Sequence, residues 1–460
     1  MMNEKQATLI ASTAAAFLTP LMASSVNIAL PSIGREFAMD ALALSWIATS
    51  AVLAAAIFLV PFGRLADIYG RRKIFICGVS TFTLFSFCSG IAPNGTVLII
   101  SRSFQGLGAS MIFGTGVAML TSAYPLAERG RVLGLNVAAT YVGLSMGPFI
   151  GGFLTQQLGW RSLFYMNALI GLGIIALTLL RLKTEWREAQ GERFDLAGSL
   201  LYIVSLTMLM IGFSKLPGLV GAWTLAAGIT GLVAFVLWQR RVPKPLLDVT
   251  LFARNIVFAF SNAAALINYS ATYALTFLMS LYLQYIKELD PFAAGVILVA
   301  QPLMMAVFSP LAGRLSDSIE PRIVASAGMA IICLGLALFA LVGTGTPIVL
   351  IVLSLLLLGF GFALFSSPNT NAVMSSVEKR LYGVASATLG TMRLTGQMLS
   401  MGIVMMIFAV TMGDTRITPD YYPAFLVSMH VAFGVFAALC LLGVFASLAR
   451  GRMRAEPGQS

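Results

Sequence analysis

The sequence predicts an all-α polytopic membrane protein made of two related six-helix bundles with two further helices between them. Three observations predict it. Apolar runs long enough to cross a bilayer, which takes about 20 residues, recur from one end of the 460-residue chain to the other. Charged residues are only 10% of the chain and hydrophobic residues 58%, against about 25% charged in a soluble globular protein. A short charged loop, Gly63–Arg72, also returns in altered form at Gly313–Arg322, with Gly, Arg, Leu, Asp and the final Arg matched in place. A charged loop that recurs between apolar runs implies a duplicated bundle, and two such bundles facing each other are a transporter architecture.

The apolar runs lie at roughly 7–30, 43–62, 74–92, 96–118, 132–153, 163–181, 196–213, 219–238, 256–285, 292–312, 323–343, 347–368, 383–412 and 422–448. The first follows a weakly charged N-terminus and is read as an uncleaved span, since Asn27–Pro31 continues into an ordinary loop. The pair 196–213 and 219–238 decides whether the count is fourteen or twelve. The expected division is a bundle over 1–182, linkers and two extra spans over 183–254, a second bundle over 255–450 and a tail over 451–460.

A net charge of +11 looks like a nucleic-acid signal until position is considered. With a cytoplasmic N-terminus, alternate loops on that side carry most of the basic residues. Among them are Arg64, Arg71, Arg72, Lys183, Arg187, Arg193, Arg240, Arg241, Arg314, Arg322, Lys379, Arg380, Arg450, Arg452 and Arg454. The other side has Arg35, Arg161, Lys215, Lys287 and Arg416. This positive-inside bias predicts a multi-pass cell-membrane protein with both termini cytoplasmic and no nucleic-acid partner. Cys77, Cys88, Cys333 and Cys440 all fall in apolar runs, so neither a metal site nor a disulfide framework is expected.

Gly63–Arg72, Arg102–Gly108, the glycines of Gly143, Gly147-Pro148 and Gly151-Gly152, Trp160–Asn167, Phe194–Gly198 and Pro245–Asp248 occur in order and at the expected places. Together they resemble the major facilitator superfamily, and in particular its fourteen-span drug–proton antiporter branch, over nearly the whole chain. The resemblance implies the major facilitator fold, small organic substrates, protons as the coupling ion, a monomer and no cofactor. It implies a gating role for Gly63, Arg64, Asp67, Arg71 and Arg72, repeated more weakly by Gly313, Arg314 and Asp317. Physically, Gly63 allows close helix approach. Asp67 is placed to accept backbone hydrogen bonds at a helix N-terminus, where the dipole favours negative charge. The alternative is that these charges only set topology. Gly143, Gly147, Pro148 and Gly151 form the span 5 motif that the family ties to exchange; the alternative is a packing seam.

Arg102 and Arg393 are the charges placed well inside spans. An embedded Arg costs about 2.5–3.5 kcal/mol on insertion scales, so it faces a wet cavity or a partner. Both a proton-pathway or anion-attracting role and a carbonyl-bound or snorkelling role fit. In span 9, Asn262, Tyr269, Tyr273, Thr276 and Ser280 keep to one helical face. That face suits either a broad organic-compound pocket or interhelical hydrogen bonding. Tyr141, Gln301, Asn369, Met22 and Asn27 complete the expected central cavity.

One departure matters. All 18 Asp and Glu fall in loops or at span ends. The family's first span usually carries an Asp before a run ending Asn-x-Ala-Leu-Pro, and here that position is Met22. Met can neither protonate nor attract a cation. Coupling then falls to Asp67, to Glu128, Glu288 or Asp290, or to the sole histidine, His430. Neutral, zwitterionic or anionic compounds become better candidates than dications. An uncoupled facilitator or an organic-anion or lipid exporter is the alternative function. No nucleophile–base pair or phosphate loop supports an enzyme.

Overall fold

The computed structural model describes residues 3–378 and 381–451, apart from the side chains of Leu126, Ala127 and Asp317. Lys379, Arg380, Arg452, Arg454 and nearly all of the expected tail lie outside the described residues. Among the described residues the regular structure is entirely helical. In chain order the helices are α1 (Glu4–Phe37), α2 (Ala41–Tyr69), α3 (Arg71–Gly90), α4 (Gly95–Ala123), α5 (Leu126–Leu158), α6 (Arg161–Arg181), α7 (Leu196–Lys215), α8 (Leu219–Gln239) and the short α9 (Thr250–Arg254). They continue with α10 (Ile256–Thr272), α11 (Ala274–Leu281), a π turn (Tyr282–Ile286), α12 (Pro291–Leu298), α13 (Ala300–Ser318), α14 (Pro321–Phe339), α15 (Ile348–Ser375), α16 (Tyr382–Thr411) and α17 (Tyr422–Ala449).

These make 14 helices or helix pairs long and apolar enough to span a membrane. The uncertain pair is present as α7 and α8. An even number of crossings leaves both chain ends on one side, called here the terminal face.

Local signals set the starts. Asn3 and Gln6 form a reciprocal capping box at α1. Asp40, Asn94, Asp195, Asn255 and Asp290 each accept a backbone N–H at the start of α2, α4, α7, α10 and α12. A carboxylate or amide there satisfies a donor that the helix leaves unpaired. Several of the scarce polar residues of the chain are thus used as caps.

Small residues set the packing. In a bilayer, helix association rests on close van der Waals contact rather than on the hydrophobic effect. A Cβ at Gly106 would lie 2.1 Å from the Ala51 carbonyl oxygen of α2, and one at Gly108 2.6 Å from the Phe82 nitrogen of α3. α4 therefore docks on both neighbours at backbone contact.

Two spans differ from the unbroken runs read in the sequence. Span 9 keeps helical backbone at Tyr273, but the Ala274 amide donates to the Ser400 hydroxyl of α16 (3.0 Å). Span 10 divides at Val299, where Pro302 has no N–H for the Leu298 carbonyl.

α7 and α8 pack on each other and against a seam. Val52, Leu53, Ala56 and Ile57 of α2, Tyr202, Leu206, Leu209 and Met210 of α7 and Met398 and Met405 of α16 form one buried apolar cluster. The extra pair thus touches a helix from each of the six-span sets.

Candidate functional site

The two six-span sets meet mainly away from the terminal face. Pro31 has no N–H, so the Asn27 carbonyl of α1 loses its intrahelical donor. The Ser280 hydroxyl of α11 supplies one at 2.6 Å. Gln284 Nε2 donates to the Ile28 carbonyl at 2.9 Å, the Phe292 amide to Gln156 Oε1 at 3.2 Å and the Ala41 amide to the Thr415 carbonyl at 3.1 Å. Phe292 packs against Phe149 and Phe153.

The glycines of the expected span 5 motif pack inside the first set, on α1, and Pro148 beside them faces α12 of the second set. Built Cβ atoms at Gly143, Gly147 and Gly151 would lie 2.3 Å from the Phe17 carbonyl oxygen, 1.7 Å from the Ser24 hydroxyl and 2.8 Å from Ser25 Cα. Ser25 Oγ donates to the Gly147 carbonyl at 2.9 Å. Next to this stripe, a Cβ at Gly152 would lie 2.4 Å from the Pro291 carbonyl oxygen, and one at Gly295 2.2 Å from the Pro148 carbonyl oxygen. α5 is therefore held by glycine contacts on α1 along one face and on α12 along another.

Nearer mid-span the two sets enclose a polar aromatic cluster. Tyr141 of α5 and Ser366 of α15 share a hydrogen bond of 3.1 Å. Tyr269 of α10 meets Phe362 edge to face, 5.4 Å between centroids. The Arg393 guanidinium of α16 lies 5.7 Å from the Tyr269 ring centre and donates to the Thr370 hydroxyl at 2.7 Å. Tyr141, Tyr269, Thr370 and Arg393 are only half-buried, although helices from both sets surround the cluster; Tyr273 and Gln301 are half-buried as well.

The other expected cavity residues are placed differently. Met22, 1% exposed, belongs to the main apolar core. Asn27 is buried at the contact between the sets. Arg102 is sealed by the Ile47 carbonyl and the Gln105 amide oxygen, the carbonyl-bound alternative. Asn262 is fully buried and donates to the Phe258 carbonyl of its own helix. Asn369 donates to the Ser261 carbonyl and accepts from Arg450, which also donates to the Pro321 carbonyl at 2.8 Å. Arg450 reads in the sequence as one more topology charge. The structure makes it a buried tie between α10, α14, α15 and α17, and no local pattern marks it.

At the terminal face, the segment Gly63–Arg72 is not a loop but the end of α2, Gly70 and the start of α3, and it is bound by the linker 183–195. Arg71, largely buried, pairs with Asp67 at 2.8 Å and with both Glu188 oxygens at 2.7 and 2.8 Å, and reaches Ser122 of α4. Arg64 pairs with Glu192, which also binds Lys244 of the second linker at 3.1 Å. Glu185 accepts the Arg72 amide at 2.9 Å. The Arg71 amide donates to the Trp186 carbonyl and the Ala189 amide to the Asp67 carbonyl. The hydrogen bond from Lys244, with the Arg64 charge beside it, holds the Glu192 carboxyl below its ordinary 4.5.

Gly70 is required here. Its φ of +127° is unfavourable for a side chain, and a Cβ would lie 2.4 Å from Glu185.

Asp67 therefore pairs with a guanidinium rather than receiving backbone donors from a helix N-terminus. A Cβ at Gly63 would meet nothing within 4 Å, so its missing side chain is not what brings the helices together; the tight position is Gly114 of α4, whose Cβ would lie 3.3 Å from Gly63 Cα. In the second copy, Gly313 approaches the Ser367 hydroxyl and Arg314 is exposed; the Asp317 side chain lies outside the described residues.

Helices from two six-span sets closing over a polar cluster inside the membrane define a transporter. The chain belongs to the Major Facilitator Superfamily, whose model matches residues 13–401 and again 262–460. It is 34% identical to multidrug resistance protein Stp of Mycobacterium tuberculosis (strain CDC 1551 / Oshkosh) over 91% of this chain and 80% of that protein. It is 29% identical to the riboflavin transporter RibZ of Clostridioides difficile (strain 630) over 96% of this chain and 97% of that protein. A POT family transporter, solved with a thioalcohol-conjugated peptide, shares the fold with a TM-score of 0.74 at 14% identity, covering 95% of this chain and 94% of that one. The chain is thus a multi-pass membrane transporter of the drug-efflux type.

Proposed function

We propose that this transporter exports small organic compounds by alternating access, in exchange for protons, as a monomer with both termini in the cytoplasm. The observation that carries the reading is the asymmetry of contact. Among the described residues, the hydrogen bonds between the two six-span sets lie at mid-span or toward the face opposite the termini. The basic loops and the clasped linker occupy the terminal face. Such an arrangement is open toward the basic, cytoplasmic side and closed outside. The relatives Stp, a multidrug resistance protein, and RibZ, a riboflavin transporter, favour organic compounds of moderate size.

The close contact of Pro148 and Gly152 on α5 with Gly295 and Pro291 on α12 serves as the pivot between sets. The Asp67–Arg71–Glu188 network serves as the cytoplasmic lock. Coupling is assigned to Asp67. Asp290 is committed to capping α12, and His430 bonds the Val342 carbonyl at 2.7 Å.

A second reading, an uncoupled facilitator, is favoured by Met22 and by the absence of a mid-span acid in the sequence. An apolar recess of about 420 Å³ is lined by Leu9, Thr13, Phe17, Leu135, Ala139 and Val142. It lies between α1 and α5, both in the first set, and so does not give the sideways opening between sets that lipid export would use.

The test is substrate-induced pH change in proteoliposomes, with cationic, neutral and anionic compounds. Linked proton movement that Asp67→Asn abolishes is the expected result. Compound flux with no proton movement would favour the facilitator. Flux of no compound would defeat both readings.

A further inference from the structure

Arg102 and Arg393 look equivalent in the sequence, and the structure separates them. Arg102 is 3% exposed, with its donors on the Ile47 carbonyl and Gln105. Arg393 is half-buried, has one protein hydrogen bond, to Thr370, and stands over the Tyr269 ring. Among the described residues no carboxylate pairs with either. The ion pairs sit at the terminal face or at the α1–α6 corner, where Arg161 meets Glu36. A guanidinium held inside the membrane without a counter-charge is costly, and its field attracts an anion strongly because low dielectric screens it little.

The surroundings restrict which anion. The guanidinium fork matches a carboxylate in geometry, two parallel N–H bonds to two oxygens. Thr370 fixes one edge of that fork. Beside it stands a wall of two rings, Tyr269 and Phe362 edge to face, with the hydrogen-bonded hydroxyls of Tyr141 and Ser366 nearby. Rings in such a wall stack offset or edge-on with a planar partner.

We propose that Arg393 with Tyr269, Phe362 and Tyr141 is a binding seat for planar aromatic compounds that carry an acidic group, the acid on the guanidinium and the ring system against the wall. This rests on the transporter reading above and names its substrate class. An organic cation of the same shape meets a positive charge and no acid, and is disfavoured.

The test uses two dyes on one ring scaffold, anionic fluorescein and cationic rhodamine 123. Binding to purified protein is read by fluorescence polarisation, and flux in proteoliposomes. The seat requires wild-type protein to prefer fluorescein. It requires Arg393→Gln to weaken fluorescein binding by about tenfold or more, the scale of a hydrogen-bonded charge, while rhodamine 123 gains or is unchanged. Arg393→Lys keeps the charge and loses the fork, so an intermediate loss is expected, and it serves if Arg393→Gln does not fold. The proposal is overturned if wild-type protein prefers rhodamine 123, binds neither dye, or keeps the same dye ratio after Arg393→Gln. In each of these cases flux of other compounds in the pH assay would leave the transporter reading standing.

Discussion

At Pro31 a missing N–H decides which helix α1 binds. The Asn27 carbonyl is freed by the proline and taken by Ser280 across the contact between sets. Ser280→Ala leaves that buried acceptor unpaired, at a cost of about 1–3 kcal/mol. A lower Tm of the purified protein in detergent is expected; an unchanged Tm would mean the bond contributes nothing. Met22 is decided at the same scale. At 1% exposure within an apolar core, Met22→Asp buries an unpaired carboxylate, which costs several kcal/mol unless it is neutralised. Less folded protein and no gain in resistance to organic cations are expected in growth assays. A gain would return position 22 to the transport path.

Among the elements, α5 shows where small residues are obligatory and where they are not. Gly143→Ala forces a methyl group to within 2.3 Å of a backbone oxygen, whereas Gly134 has nothing within 4 Å of its Cβ position. The first should lose about 1–3 kcal/mol to overpacking and the second almost nothing, as thermal unfolding would show. The linker is the other decisive element. Glu188→Gln with Glu192→Gln should free it, measured as faster trypsin cleavage at Arg187 and Arg193 at neutral pH. The pH sign follows from Glu192. Its folded pKa is depressed, so its contribution is present above the ordinary carboxylate range and is lost only as pH falls below it. Acidification from 7 to 5 should leave the linker bound.

The spans were legible, because long apolar runs have no other stable use. The close packing of α5 was legible, because only glycine permits such contact. The linker's role was not. Glu185, Glu188 and Glu192 read as solvated loop charge, and only their concentration in a chain with 18 acids hints otherwise. The bond of the Ala274 amide to Ser400 was equally hidden, since Ser400 lies on another helix. The assignment of Asn369 and Asn262 to the cavity failed for a related reason. Periodicity gives a face but not the neighbour that covers it.

For the molecule as a whole, the contact away from the terminal face has to open for transport. Phe149 and Phe292, 5.5 Å apart at their ring centres, report on it. With Cys77, Cys88, Cys333 and Cys440 replaced, Phe149→Cys with Phe292→Cys joined by a reducible cross-linker should stop flux, and reduction should restore it. Undiminished flux in the joined state would mean that this contact does not move.

The bound linker also limits how the protein can be shortened. Removing 183–254 would leave twelve spans and both six-span sets. It would also remove Glu185, Glu188 and Glu192, leaving Arg64 without its acid and Arg71 with Asp67 alone. Uncompensated guanidinium groups at a membrane surface draw anionic lipid headgroups, each worth about 1 kcal/mol. The trimmed protein should then work only in bilayers rich in phosphatidylglycerol or cardiolipin, a dependence that the intact chain avoids by carrying its own counter-ions.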